Sequence, residues 1–204
     1  MPPKTLLSLE KHMVGTRKFN EEEVLTLAID VFWSKGYTAT TMLDLAKETG
    51  VQRGSLYNAY QNKNTLFLKA FAYYTHGFLI SVENQLQQGN AKQAFTHLFH
   101  TLVERLTTDK GSKGCFSTRT MMEASQQCPD IDSYLKCFLD GLEGIINHRL
   151  EQAIKDGQFS GDALSNARYL TALTRGIAVI ERVYDDKARI TDIYETALKQ
   201  MPFV

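Results

Sequence analysis

Apolar residues return every three or four positions through most of this chain, and that spacing predicts helices almost from end to end. From Glu21 to Lys35 the series Val24, Leu25, Ala28, Ile29, Phe32 and Trp33 marks one face of a helix. Asn20 is placed to cap it, three glutamates (Glu21, Glu22, Glu23) sit at its positive end, and Gly36 stops it. A second helix is expected over about 41–49, where Thr41 and Asp44 have capping-box spacing and Leu45 and Ala46 face inward. Gly50 breaks it, and a short helix follows over about 52–60. Asn62 then caps a long fourth helix carrying Leu66, Phe67, Ala70, Phe71, Tyr74, Phe78, Val82 and Leu86. Further helices are expected near 91–107, 116–125, 130–156, 162–184 and 189–200. There is no alternating β-branched run, so the fold class is all-α.

The short helix at 52–60 differs from the others. In GVQRGSLYNAYQNKNTLF only Val51 and Leu56 are read as core residues, packing with Leu45, Phe32 and Ile29, while Gln52, Arg53, Ser55, Tyr57 and Asn58 face outward. A helix of this length is marginal alone, so the helices behind must hold it. Helix, tight turn and helix is the arrangement that presents one helix to the DNA major groove. Arg53 can grip a guanine edge or a phosphate with two parallel bonds, and Gln52 and Asn58 can pair with adenine. Ser55 and Tyr57 can reach phosphate or a base edge, while Lys63, Thr40 and Thr41 are placed for phosphate.

Composition changes this picture little. The 204 residues are 43% hydrophobic and 23% charged with zero net charge, which fits an ordinary folded protein and weak non-specific DNA affinity. No run approaches the roughly 20 apolar residues of a membrane helix, and the N-terminal segment is too interrupted by charge for a secretory signal. Three cysteines are too few and too unevenly placed for a disulfide framework, so a reducing, cytoplasmic setting is expected. No phosphate loop, zinc-protease motif or serine-nucleophile signature is present, so no enzyme is expected. His97 and His100 lie three apart on one helix, but two ligands do not make a metal site. No metal or cofactor is expected.

The stretch RKFNEEEVLTLAIDVFWSKGYTATTMLDLAKETGVQRGSLYNAYQNKNTLFLKAF resembles the N-terminal domain of the TetR family of bacterial transcriptional regulators. The resemblance rests on FWSKGY, TATTMLDLAKETGV and GSLYNAYQNKNTLF and covers about 50 residues nearly end to end. It implies a homodimer whose three-helix N-terminal units bind a palindromic operator, with a C-terminal helical domain for dimerisation and effector binding. It implies DNA contacts at Thr41, Arg53, Gly54, Ser55, Tyr57, Tyr60 and Lys63, and a basic arm at Arg17 and Lys18. The organisation expected is an N-terminal extension (1–16), a helix-turn-helix DNA-binding domain (17–66) and a helical effector-binding and dimerisation domain (67–204). Promoter occlusion is the expected mode, with activation as the alternative.

In the C-terminal domain the helices at 130–156 and 162–184 carry more apolar surface than one core-facing stripe needs. Leu142, Ile145, Ile146, Tyr169, Leu173, Ile177 and Ile180 are therefore candidates for a dimer interface. Phe78, Phe95, Phe99, Leu102, Phe116, Met122 and Phe138 are candidates for an apolar effector cavity, although such stripes also build plain core. Arg105, Glu123 and Arg175 are the charged residues that could orient a polar ligand. Cys115, after a glycine loop, at a helix start and two residues from Lys113, has the features that favour a thiolate. Its KGCF segment resembles the loop of family members that sense oxidants or electrophiles through a cysteine; an inert thiol is the competing reading.

Overall fold

The computed structural model describes residues 19–108, 115–124 and 129–204. Among these residues nine helices run in the order α1 (Glu21–Lys35), α2 (Met42–Thr49), α3 (Arg53–Tyr60), α4 (Lys63–Leu86), α5 (Ala91–Thr107), α6 (Phe116–Glu123), α7 (Pro129–Lys155), α8 (Ala163–Tyr184) and α9 (Lys187–Gln200). The capping signals in the sequence fix several of these ends. Asn20 accepts from the N–H groups of Glu22 and Glu23, and Thr41 and Asp44 form a reciprocal capping box. Gly36 and Gly50 end α1 and α2 at φ 81° and 67°, which glycine adopts at little cost. At Gly36 a Cβ would also lie 2.6 Å from the Glu123 carboxylate, so α1 ends tightly against α6. No helix among the described residues is long and apolar enough to cross a membrane.

Two hydrophobic cores share α4. The N-terminal core joins α1, α2 and α3 to the first half of α4 through Phe32, Leu45, Leu56, Leu66, Phe67 and Phe71. The second core is built by the rest of α4 with α5, α7, α8 and α9. The N-terminal core also takes in Phe116 from α6 and Ile131 and Leu135 from the start of α7. Phe116 lies 5.3–6.1 Å from the rings of Trp33, Phe67, Phe71 and Tyr74. One short helix of the C-terminal half is thus packed into the helix-turn-helix unit.

Two arginines cap helix C-termini, where carbonyl oxygens lack intrahelical partners, and the first of them ties the two halves together. Arg119 of α6 donates to the carbonyls of Trp33 and Ser34 at the end of α1, and its Nε bonds Glu123 at 2.8 Å. Arg149 of α7, 8% exposed, donates to the carbonyls of Leu86 (2.7 Å) and Gly89 (3.2 Å) after α4.

Several sequence expectations are corrected by burial. Leu142, Ile146 and Ile177 are 1–3% exposed in the core of the single chain, so they hold α7 and α8 to the other helices rather than to a second copy. Ile145 and Leu173 are half-buried against the same core, while Tyr169 and Ile180 are exposed. Phe95, fully buried, packs with Phe99 and Phe203, and Phe138 packs behind Phe78. Phe116 belongs to the N-terminal aromatic cluster, and Met122 points to solvent. None of these four is among the walls of the two cavities described below.

Candidate nucleic-acid interface

The recognition unit is assembled from α2, the turn at Gly50 and α3. Leu56 and Tyr60, one helical turn apart, are both 0% exposed and bind α3 to the core. On the opposite side Gln52, Arg53, Gly54, Tyr57 and Asn58 are exposed and Ser55 is half-buried. The Arg53 guanidinium stacks 5.4 Å from the centroid of the Tyr57 ring, an i,i+4 contact that pre-orients both side chains along the exposed face. Gln52 starts α3 without a side-chain cap bond, so its amide is not consumed by its own helix. Gln61 closes α3 at φ 64°, its N–H bonding the Tyr57 carbonyl at 2.7 Å, and α4 begins two residues later.

The flanking groups divide. Thr41 is exposed, but its hydroxyl serves the capping box, accepting from the Asp44 N–H and donating to the Asp44 carboxylate at 2.7 Å. Bonds from Lys35 and Thr41 hold the Asp44 carboxyl well below the usual carboxylate range. Lys63 lies against the α1–α2 turn, donating to the carbonyls of Tyr37 (2.8 Å) and Thr38 (3.4 Å) with its ammonium 4.5 Å from the Tyr37 ring centroid. Partial burial holds its pKa below the ordinary lysine value. One of the three ammonium protons remains for a phosphate.

Thr40 and Tyr60 do not fit the contacts expected of them. Thr40 is 1% exposed and its hydroxyl bonds the Gly36 carbonyl at 2.6 Å, closing the turn before α2. Tyr60 is a core residue for the geometric reason that holds Leu56 inward. Arg17 and Lys18 lie outside the described residues. The sequence reading did not single out Leu43, which is 65% exposed beside Thr41 on the first turn of α2. It offers an apolar surface next to the helix N-terminus, as thymine methyl contacts use.

Comparison with known proteins decides what this geometry belongs to. The family of bacterial regulatory proteins of the tetR type matches over residues 24–70, which spans α1 to the start of α4. The uncharacterised HTH-type transcriptional regulator YezE of Bacillus subtilis is 30% identical over 190 residues, covering 91% of this chain and 98% of that protein. The chain belongs to the TetR family. This TetR-family regulator is also 26% identical over 188 residues to the HTH-type transcriptional repressor ComR of Escherichia coli, covering 90% of each. The fold matches that of the TetR-family regulator CifR, a cysteine mutant complexed with 26-bp operator DNA, with a TM-score of 0.82 at 22% identity, covering 92% of this chain and all of that one. The protein is a DNA-binding transcriptional regulator.

The rest of the candidate chemistry lies in the C-terminal half. Cys115, the residue before α6, is half-buried; its Sγ is 3.1 Å from the Ser117 hydroxyl and 3.6 Å from Nη1 of Arg175 on α8. Burial opposes ionisation of this thiol more than any single neighbour favours it. The Arg175 charge, the Ser117 hydroxyl and the hydrogen bonds from Thr118 together bring it below the ordinary thiol value. Phe78, Leu102 and Cys115 line one small cavity, and Phe99 lines a different one between α5 and α9. On α8, Tyr169, Ile180 and Val183 are exposed, with Val183 at 76%, and together with exposed Ala172 and Gly176 they form a stripe at helical spacing.

Proposed function

We propose that the protein is a homodimeric repressor that occludes a promoter at a palindromic operator and leaves it when an effector binds. The observation that carries the DNA-reading part is the two-sided α3: Leu56 and Tyr60 are fully buried, while Arg53, stacked on Tyr57, lies on the opposite side with Gln52 and Asn58. Arg53, Gln52 and Asn58 read base edges; Ser55, Tyr57 and Gly54 approach the backbone; Lys63 and the N-terminus of α2 at Thr41 hold phosphates. A dimer follows from the task, because two α3 helices about 34 Å apart read successive major grooves. The exposed Tyr169–Val183 stripe of α8 supports that face as the subunit contact. An effector shifts the population toward dimers whose recognition helices are wrongly spaced. Charge on α8 tests this: Ile180→Asp with Val183→Asp should yield a folded monomer in sedimentation, with operator affinity lost. A variant that stays dimeric sinks the α8 assignment.

A second reading has its own observation. The Cys115 thiol touches Arg175 and Ser117 at the start of α6, the helix whose Arg119 caps α1. A thiolate there would add to the activated double bond of an electrophile, the adjacent carbon taking up a proton. The adduct would separate Arg175 from the start of α6. N-ethylmaleimide should then release wild-type protein from its operator and leave Cys115→Ser bound; equal release of both defeats this reading.

A further inference from the structure

Among the described residues of the helix-turn-helix unit (19–66), two large apolar side chains are exposed: Tyr57 at 38% and Leu43 at 65%. Tyr57 lies on the outer side of α3 with the Arg53 guanidinium stacked on it. Leu43 stands on the first turn of α2, while Met42 and Leu45 turn the other way into the core at 6% and 0% exposed. An exposed leucine on its own is ordinary. Its place on the molecule sets this one apart.

Lys63, three residues beyond the end of α3, donates to the carbonyls of Tyr37 and Thr38 in the turn that leads into α2. This brings the N-terminal turn of α2 to the C-terminal end of the recognition helix. The polar groups around Leu43 are committed there. Thr41 and Asp44 bond each other in the capping box, and Asp44 also pairs with Lys35, so the carboxylate that would repel phosphates is compensated. Lys47, one turn after Leu43, is exposed on the same side of α2 and brings positive charge toward a phosphate. Leucine has neither donor nor acceptor for a base edge. The apolar group that the four standard bases present in the major groove is the 5-methyl of thymine.

We propose that Leu43 is a specificity-determining residue, packing on the 5-methyl group of one thymine in each operator half-site. The protein then recognises a methyl group at that base pair rather than a hydrogen-bond pattern. The inference rests on the reading of α3 as the recognition helix and adds α2 to it. A consequence is that 5-methylcytosine can stand in for the thymine, because its methyl occupies the same place in the groove.

The probe is the duplex that the reduced, full-length protein recovers from a random pool. Its thymines are replaced by deoxyuridine one position at a time, symmetrically in both half-sites, which removes a methyl and keeps every hydrogen-bonding group. At one position this should weaken wild-type binding about fourfold per half-site and roughly fifteenfold for the pair. Cytosine there should bind at least as weakly as deoxyuridine, and 5-methylcytosine should recover most of the cytosine loss. Leu43→Gln, at an exposed position and with a good helix former, should melt as wild type does. It should bind the thymine duplex more weakly and no longer distinguish it from the deoxyuridine duplex, whereas Leu43→Met should keep the preference. If no thymine is methyl-sensitive, or every sensitive one is equally so in Leu43→Gln, the inference is overturned. A loss in Leu43→Gln that is the same on both duplexes would make Leu43 a backbone contact and overturn it too. Failure to recover any operator would overturn the reading of α3 together with this inference, whereas an operator without a Leu43-dependent methyl overturns this inference alone.

Discussion

The two-sided nature of α3 is open to a direct energetic test at neighbouring positions. Leu56 is 0% exposed, so Leu56→Ala removes three carbons from a filled core. At about 0.8 kcal/mol per buried methylene the transfer loss is about 2.4 kcal/mol. The cavity left behind raises the expected cost to about 3–4 kcal/mol. For a chain of this size that lowers Tm by roughly 6–16 °C. Tyr57, on the other side of the same helix, is 38% exposed, and Tyr57→Ala should change stability by less than about 1 kcal/mol. The two variants should reverse order on DNA. At a temperature where both are folded, Tyr57→Ala loses operator affinity directly, whereas Leu56→Ala loses it only to the extent that α3 detaches. Urea unfolding at fixed protein concentration and operator titration at fixed salt supply the four numbers. If Leu56→Ala costs under about 1 kcal/mol, or Tyr57→Ala costs as much as Leu56→Ala, the division into anchor and reader fails.

Three further outcomes are expected. Arg53→Ala should cost about 1–3 kcal/mol on the preferred operator and relax the preference at one base pair; a uniform loss across operator variants would make Arg53 a phosphate contact instead. Lys63→Met should weaken all sequences alike, flatten the salt dependence by about one unit and lower stability, because the Tyr37 and Thr38 carbonyls lose their donor; unchanged melting would show that the turn does not need it. The lowered Asp44 pKa means that its contribution is present above the ordinary aspartate pKa and lost as pH falls through the folded value. The Tm gap between wild type and Asp44→Asn should therefore be largest near neutrality and close in acid, and a gap that widens on acidification would reverse the sign.

The helices and their ends were legible in the sequence because local chemistry sets them. Asn20, the Thr41–Asp44 box and Asn62 cap where such residues must, and Gly36 and Gly50 stop helices by conformations other residues avoid. Tyr60 was misread although the signal was available: it stands four residues after Leu56 and must share its face. Thr40 carried no such signal, since only the folded turn brings its hydroxyl to the Gly36 carbonyl. The apolar excess of α7 and α8 was visible, but periodicity could not say which stripe faces the chain's own core. It divides Ile177 from Ile180, three residues apart, by a burial of 1% against 36%. The cavity chemistry was the least legible part. Cys115 and Arg175 meet across 60 residues of sequence, and Trp33 joins them from the other half of the molecule.

The most direct test of the account is selection of bound fragments from a random duplex pool by the purified, reduced protein. The account predicts an enriched inverted repeat whose half-site centres lie about 10 bp apart or a multiple of that, and an Arg53→Ala protein that enriches a relaxed version of it. A single unrepeated site would contradict the dimeric reading. No enrichment at low salt would contradict the assignment of α3 as the helix that reads the operator.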